Sequence, residues 1–220
     1  MKKVEAITIG LVLISFMVSL YFYPLMPEKI AIHWNLQGQV DGYASKFPGL
    51  FILPSLLVGI ALLFITIPKV DPLKENIERF RKYYDGFIIL FSAFMVFIHL
   101  YVISWNIGIR ISPNIVLPPG LGILFFYCGI LCENAKRNWF IGIRTPWTLS
   151  SDRVWEKTHK VGGRLFKACG IISIVGLLFP SHATCFILIP VMFTVAFLIV
   201  FSYLEYQKEI RQLNKGVSKS

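Results

Sequence analysis

Residues 138–163 read NWFIGIRTPWTLSSDRVWEKTHKVGG, a run holding Arg144, Arg153, Lys157, Lys160, three Trp and one His. On either side the chain is apolar enough to cross a membrane. Which solvent this polar island faces depends on the spans around it, so the fold turns on their number. Of 220 residues 55% are hydrophobic and only 15% charged, with a mean hydropathy of +0.65. Soluble domains average about 25% charged residues. A chain this short has no soluble interior large enough to hide so much apolar surface. Lipid is the solvent that fits. A hydrocarbon core of about 30 Å takes about 20 apolar residues of helix. Stretches near 6–26, 48–68, 86–107, 115–132, 165–180 and 183–204 meet that need, none with a charge at its centre. Their length and lack of period-two alternation predict helices rather than strands.

The predicted fold is an all-α integral membrane protein: six transmembrane helices, with a cytoplasmic interfacial helix between the fourth and fifth. The first span follows Lys2-Lys3, as a signal peptide's would. Its apolar run is too long and no small-x-small cleavage site follows, so it reads as an uncleaved anchor. Six spans put the connecting segments on alternate sides. Of the 22 Lys and Arg residues, only Lys29, Lys46 and Arg110 fall on one side. The positive-inside rule then places both termini and residues 138–163 in the cytoplasm of a plasma-membrane protein. The net charge of +10 is thus mainly a topology signal, with some attraction to anionic headgroups. It is no sign of direct nucleic-acid binding.

The chain divides into an N-terminal hairpin of spans over 1–68 with an outer loop at 27–47, a cytoplasmic linker at 69–85, a four-helix membrane domain at 86–204 with its cytoplasmic segment at 133–164, and a tail at 205–220. In the outer loop Ile30, Ile32 and Trp34 alternate with Ala31, His33 and Asn35, a pattern for a short strand. Gly38 and Asp41-Gly42 are turn signals. Asp71-Pro72 is a plausible helix start in the linker. Within the island, Thr145 caps a short turn with Pro146 at its first position. Ser150 or Ser151 caps a second helix, with Asp152 at its positive end. On that helix Trp155, His159, Gly162 and Phe166 share one face. Anchoring at the interface is the plain use of such a segment. Gly142 and Pro146 constrain the backbone more than anchoring needs. Arg144, between two Trp, is placed for a planar fork of hydrogen bonds to carbonyls or to an acid such as Glu133.

Other polar residues have plain readings. Cys128, Cys132, Cys169 and Cys185 form no CxxC and read as small buried hydrophobes. His99 lies within the third span, where an ionisable group is a functional candidate by default; a neutral His bonded to a neighbouring helix is the simpler reading. His33 and Asp41 are too few for a metal site, and Asp152, Glu156 and His159 lack ligands from a second helix. No metal and no cofactor is expected. Neither a Ser-His-Asp arrangement, an HExxH nor a phosphate loop is present, so no enzyme is predicted.

The island resembles the signature of SdpI-type immunity proteins at Asn138, Gly142-Ile143-Arg144-Thr145-Pro146-Trp147-Thr148-Leu149, Trp155, Thr158-His159 and Gly163. The outer loop resembles the domain of unknown function commonly found upstream, at His33-Trp34-Asn35, Gly38, Asp41 and Ser45-Lys46. The resemblance implies a membrane protein that protects a producing cell against a secreted peptide toxin. In the family's best-known arrangement that protein also senses the toxin and captures a cytoplasmic repressor, here expected to be of the ArsR type. The cytoplasmic positions would serve the repressor, Lys157 and Lys160 offering an exposed basic surface, and the outer loop would serve the toxin. The alternative is a small membrane transporter or membrane enzyme, resting on His99, Asn106 and Arg110 along the third span. The broken repeats usual in transporters are not seen.

Overall fold

The computed structural model describes residues 3–217; Lys2, Lys219 and the end of the expected tail at 218–220 lie outside the described residues. Six helices are long and apolar enough to cross a membrane. They are α1 (Lys3–Phe22), α2 (Lys46–Val70), α4 (Arg81–Asn106), α5 (Pro113–Asn134), α7 (Asp152–Val175) and α8 (Ala183–Val217), with short helices α3 (Lys74–Arg79) and α6 (Pro146–Ser150) between them. One antiparallel hairpin, β1 (Lys29–Trp34) with β2 (Val40–Ser45), links α1 to α2. The protein is an all-α integral membrane protein carrying that single hairpin. Large apolar side chains such as Leu13, Met17, Ile189, Met192 and Phe193 point outward along the spans, as lipid-facing helices require.

Helices α1, α2 and α4 pack together, α5 packs on α7 and α7 on α8, and α4 also meets α5. Buried apolar clusters close the two ends. Met26, Ile30, Leu50, Val102 and Ile103 lie under the hairpin. Ile67, Ile77, Phe80, Tyr84, Leu131, Ile141 and Trp155 lie at the opposite, basic end.

Two prolines inside α2 explain several polar contacts at bilayer depth. Pro54 and Pro68 have no N–H, so the carbonyls four residues earlier, Leu50 and Phe64, lose their helical partners. A hydroxyl from a neighbouring helix supplies each. Ser19 Oγ donates to Leu50 O at 3.0 Å, and Tyr84 Oη donates to Phe64 O at 3.0 Å. An orphaned carbonyl in hydrocarbon would cost several kcal/mol (~2 or more), so these pairs fix how α1 and α4 sit on α2.

The contact of α5 with α7 is backbone on backbone. A Cβ at Gly170 would meet Gly122 O at 2.5 Å, and one at Gly163 would meet Gly129 O at 2.8 Å. These four glycines, seven apart on each helix, let the backbones touch where any side chain would hold them apart.

The amphipathic stretch after Ser151 feeds into the fifth span as expected, forming the first half of an unbroken α7. No proline interrupts it, and Gly162 and Gly163 are held by packing rather than freed as breakers. Two local expectations change. Asp71-Pro72 does not start a helix: Asp71 is the C-cap of α2, and α3 begins at Lys74. The loop strand pairs as a hairpin, but the strict alternation fails. Ile30 and Ala31 are both buried and Ile32 is exposed, because the register shifts between Ala31 and His33. Finally α8, at 35 residues, is about 52 Å long and outruns a core of about 30 Å. Its far end is fastened to the start of α7 by Lys157–Glu205 and Ser151–Glu209, each at 2.6 Å, and Arg153–Gln212 at 2.7 Å.

Candidate functional site

At the basic end, residues 135–151 form a knot tied by side chains. Asn138 is fully buried and uses its whole amide. Its Oδ1 accepts from the N–H groups of Phe140 and Ile141, and its Nδ2 donates to the carbonyls of Lys136 and Ile141. Gly142 follows with φ +106, a conformation side chains rarely adopt, and a Cβ there would strike His159 Nε2. That nitrogen accepts from Ile143 N–H at 2.9 Å, while Nδ1 faces Trp155 O at 2.9 Å. An acceptor at Nε2 and a donor at Nδ1 define one neutral tautomer. The Trp155 ring stacks on His159 at 3.9 Å, and its Nε1 donates to Ala135 O at 2.8 Å.

The next turn is closed by two threonines. Thr145 and Thr148 make a reciprocal capping box with Pro146 at the first helical positions. Thr148 Oγ1 also donates toward the carbonyls of Ile143 and Thr145. Thr145 Oγ1 reaches Ser202 Oγ on α8 at 3.0 Å, and Trp147 packs on Tyr203 with ring centroids 5.2 Å apart. Ser151, not Ser150, caps α7. Thr158 is buried, and its hydroxyl has no hydrogen-bond partner among the described residues. Gly163 is one of the four glycines at the contact of α5 with α7.

Asn138, Thr145, Thr148, Trp155, Thr158, His159 and Gly163 are therefore interior. Those exposed between residues 135 and 151 are Lys136, Trp139, Phe140, Gly142, Arg144, Pro146 and Ser150. Glu133 does not meet Arg144; it pairs with Lys167 at 2.5 Å. Arg144 instead donates one hydrogen bond from Nη1 to Trp139 O at 2.8 Å. Lys157 is no free surface charge either, because it holds the buried Glu205. Asp71, expected only as part of a helix start, instead holds the segment: its buried carboxylate accepts from Trp139 N–H and Leu73 N–H. The only hint was an acid directly behind a span. Since Arg144 uses a single donor of its fork, Arg144→Lys is expected to retain most of the wild-type thermal stability, within about 1 kcal/mol. A loss as large as that of Arg144→Ala, measured by thermal unfolding in detergent, would show that the planar fork matters after all.

At the other end Asn106 closes α4 and holds the hairpin. Its Oδ1 accepts from Ala31 N–H at 2.8 Å and its Nδ2 donates to Ala31 O at 3.1 Å, replacing a strand at the place where the register slips. Asn35 folds the hairpin tip by accepting from Gln37 and Gln39 N–H. Gly38, at φ +76, lies against Ser112 and Pro113 of α5. His33 and Asp41 face each other in the open at 2.5 Å. Lys46 sits over the Tyr23 ring at 5.0 Å and 3.7 Å from Glu28. Trp34 packs between Tyr101 and Trp105. Its buried Nε1 has no hydrogen-bond partner among the described residues. Beneath it a cavity of about 480 Å³ is walled by Leu53, Leu56, Ile98, Tyr101 and Leu117, within the range of small-ligand sites.

His99 lies between these ends, buried, with Nε2 2.9 Å from Ser19 Oγ. Because that hydroxyl is committed to Leu50 O, His99 Nε2 is the donor, and the ring braces the proline repair in α2. Arg110 is exposed beyond α4. His99, Asn106 and Arg110 thus serve separate places and do not converge. Among the described residues no group of three His, Cys, Asp or Glu is placed to hold a metal.

Both segments have counterparts in known proteins. Residues 134–203 match the SdpI/YfhL protein family, and residues 10–58 match a domain of unknown function (DUF1648). The match to the SdpI/YfhL protein family thus lies in the C-terminal part of the chain. Over 209 residues it is 25% identical to "Immunity protein SdpI" of Bacillus subtilis (strain 168), an alignment covering 94% of this chain and 98% of that protein. It is also 35% identical over 52 residues to "Uncharacterized membrane protein YbgB" of the same organism, covering 24% of this chain and 57% of YbgB. No solved structure matches. In this chain the segment that resembles the SdpI/YfhL signature is a buried knot tying the end of α5 to α7 and α8, and its surface is confined to a narrow rim.

Proposed function

We propose that this chain is a plasma-membrane immunity protein that protects its host from a secreted peptide toxin. The observation that carries the reading is the near full-length alignment with an immunity protein, which spans both the hairpin end and the knot. The charge asymmetry supports an orientation with the hairpin outside and both termini in the cytoplasm. In that orientation the hairpin and its apolar cavity face the side from which a toxin arrives. Apolar residues of a peptide suit that cavity, and the unpartnered Trp34 N–H suits a peptide carbonyl.

Signalling is the finer part of the proposal. A repressor of the ArsR type would meet the cytoplasmic rim of Trp139, Phe140, Gly142, Arg144 and Pro146, since Asn138, Thr145, Thr148, Trp155, Thr158, His159 and Gly163 are interior. A toxin moves that rim only by favouring one arrangement of the helices over another. A transporter has less support, because the three residues that suggested it stand apart.

Expression in a sensitive host, followed by challenge with candidate secreted peptide toxins, tests the reading. Survival is expected to rise with the wild-type protein. Trp34→Ala should lose roughly 30-fold in protective potency, the effect of removing one central aromatic contact, at an unchanged protein level in the membrane. Survival equal to the empty vector at normal membrane levels, across the toxins tried, would count against immunity. A repressor-controlled reporter in the same cells reads the signalling arm separately.

A further inference from the structure

A polar cavity of about 430 Å³ opens at the basic end between α5 and α7, lined by Glu133, Lys136, Glu156, His159, Lys160 and Arg164. The charges around it do not balance. Glu133 is held by Lys167 at 2.5 Å, and Glu156 lies 3.4 Å from Lys136. Both His159 ring nitrogens are engaged inside the knot. Lys160 and Arg164 make no ion pair or side-chain hydrogen bond among the described residues. They stand four apart on α7, so they share a face and repel. The two acids that line the cavity, Glu133 and Glu156, are already paired with Lys167 and Lys136, so among the described residues neither is left to neutralise this cation pair.

The depth of the two cations points to what does. Leu165 and Phe166 follow Arg164, and after Lys167 the helix is free of charge from Ala168 to Val175, so Arg164 stands within one turn of the point where the helix passes from polar to lipid surroundings. Headgroup phosphates occupy that level. We propose that this cavity binds one anionic phospholipid by its phosphate, Arg164 offering a planar fork to two oxygens and Lys160 a point charge. The bound lipid joins α5 to α7 beyond their glycine contact and draws together two cations that otherwise repel. An acidic protein partner is less favoured, because its carboxylates would have to reach the headgroup level that lipid already fills.

The test uses the full chain in detergent with phosphatidylglycerol or phosphatidylcholine, read by native mass spectrometry. One phosphatidylglycerol should be retained in preference to phosphatidylcholine by roughly 30-fold, two cations contributing. The double variant Lys160→Gln, Arg164→Gln should lose that preference. The control Lys69→Gln, Lys74→Gln removes the same charge from the same end and should keep it. An undiminished preference in the first variant, or an equal loss in the control, would reduce the effect to diffuse attraction and overturn the site. Displacement by millimolar inorganic phosphate would make it a general phosphate site, and displacement by a poly-glutamate peptide an acidic-partner site; either overturns the lipid assignment. Should the double variant fail to insert, Arg164→Lys decides: it keeps the charge, and a preference cut several-fold is expected, while full retention would refute the role given to the guanidinium.

Discussion

Gly170→Val is expected to melt well below the wild type. A Cβ at Gly170 would lie 2.5 Å from Gly122 O and 2.8 Å from Phe126 N. Both are backbone atoms of α5, so no side chain can swing aside and the helices must separate. Separation also opens the Gly163–Gly129 contact one heptad away. Overpacking usually costs about 1–3 kcal/mol, and a clash with helical backbone belongs at the upper end, about 3 kcal/mol. For a chain of this size that lowers the melting temperature by about 10 °C. Thermal unfolding in detergent, followed by fluorescence-detected size exclusion, measures it. Gly59→Val is the control, because a Cβ there meets nothing within 4 Å. Equal melting of Gly170→Val and the wild type would mean that the two helices are not in backbone contact.

Asn138→Ala should loosen the knot at the basic end by about 3 kcal/mol or more. The amide makes four hydrogen bonds in a fully buried position, and alanine leaves two N–H groups and two carbonyls with fewer partners or none. Each orphaned group costs about 1–3 kcal/mol, less where the backbone relaxes. The loss is local before it is global. Trypsin cleavage after Arg137 and Arg144 should therefore accelerate while the spans remain inserted. Asn138→Asp preserves the acceptor for Phe140 and Ile141 N–H and should fall between alanine and the wild type. Unchanged proteolysis in Asn138→Ala would show that the segment is held by its flanking helices instead.

Thr145, Pro146 and Ser151 were legible from sequence as caps, because a cap depends on bonds within one turn. Asn106 and His99 stood out as polar residues in an apolar helix, but their roles were hidden. Asn106 pairs with Ala31, 75 positions away, and His99 with Ser19, 80 positions away. Trp155 and His159 were correctly placed on one face. That they face inward against residues 135 and 143 depends on how the chain turns after Asn138. Lys157 looked like a free surface charge because its acid, Glu205, lies on α8.

Sequence alone determined the class of solvent, the number of spans and the separation of charge between the two ends. Each is a sum over neighbouring residues: about 20 apolar positions span a bilayer whatever they pack against, and a basic loop is basic in any fold. Tertiary structure decided which polar groups are interior. Ser19 and Tyr84 meet the carbonyls left bare by Pro54 and Pro68, and Gly122 and Gly129 touch Gly170 and Gly163, only once separate helices have met. Hydrocarbon leaves an unpaired backbone group no water to turn to, so such groups are satisfied by residues distant in the chain, whose pairing no local pattern records.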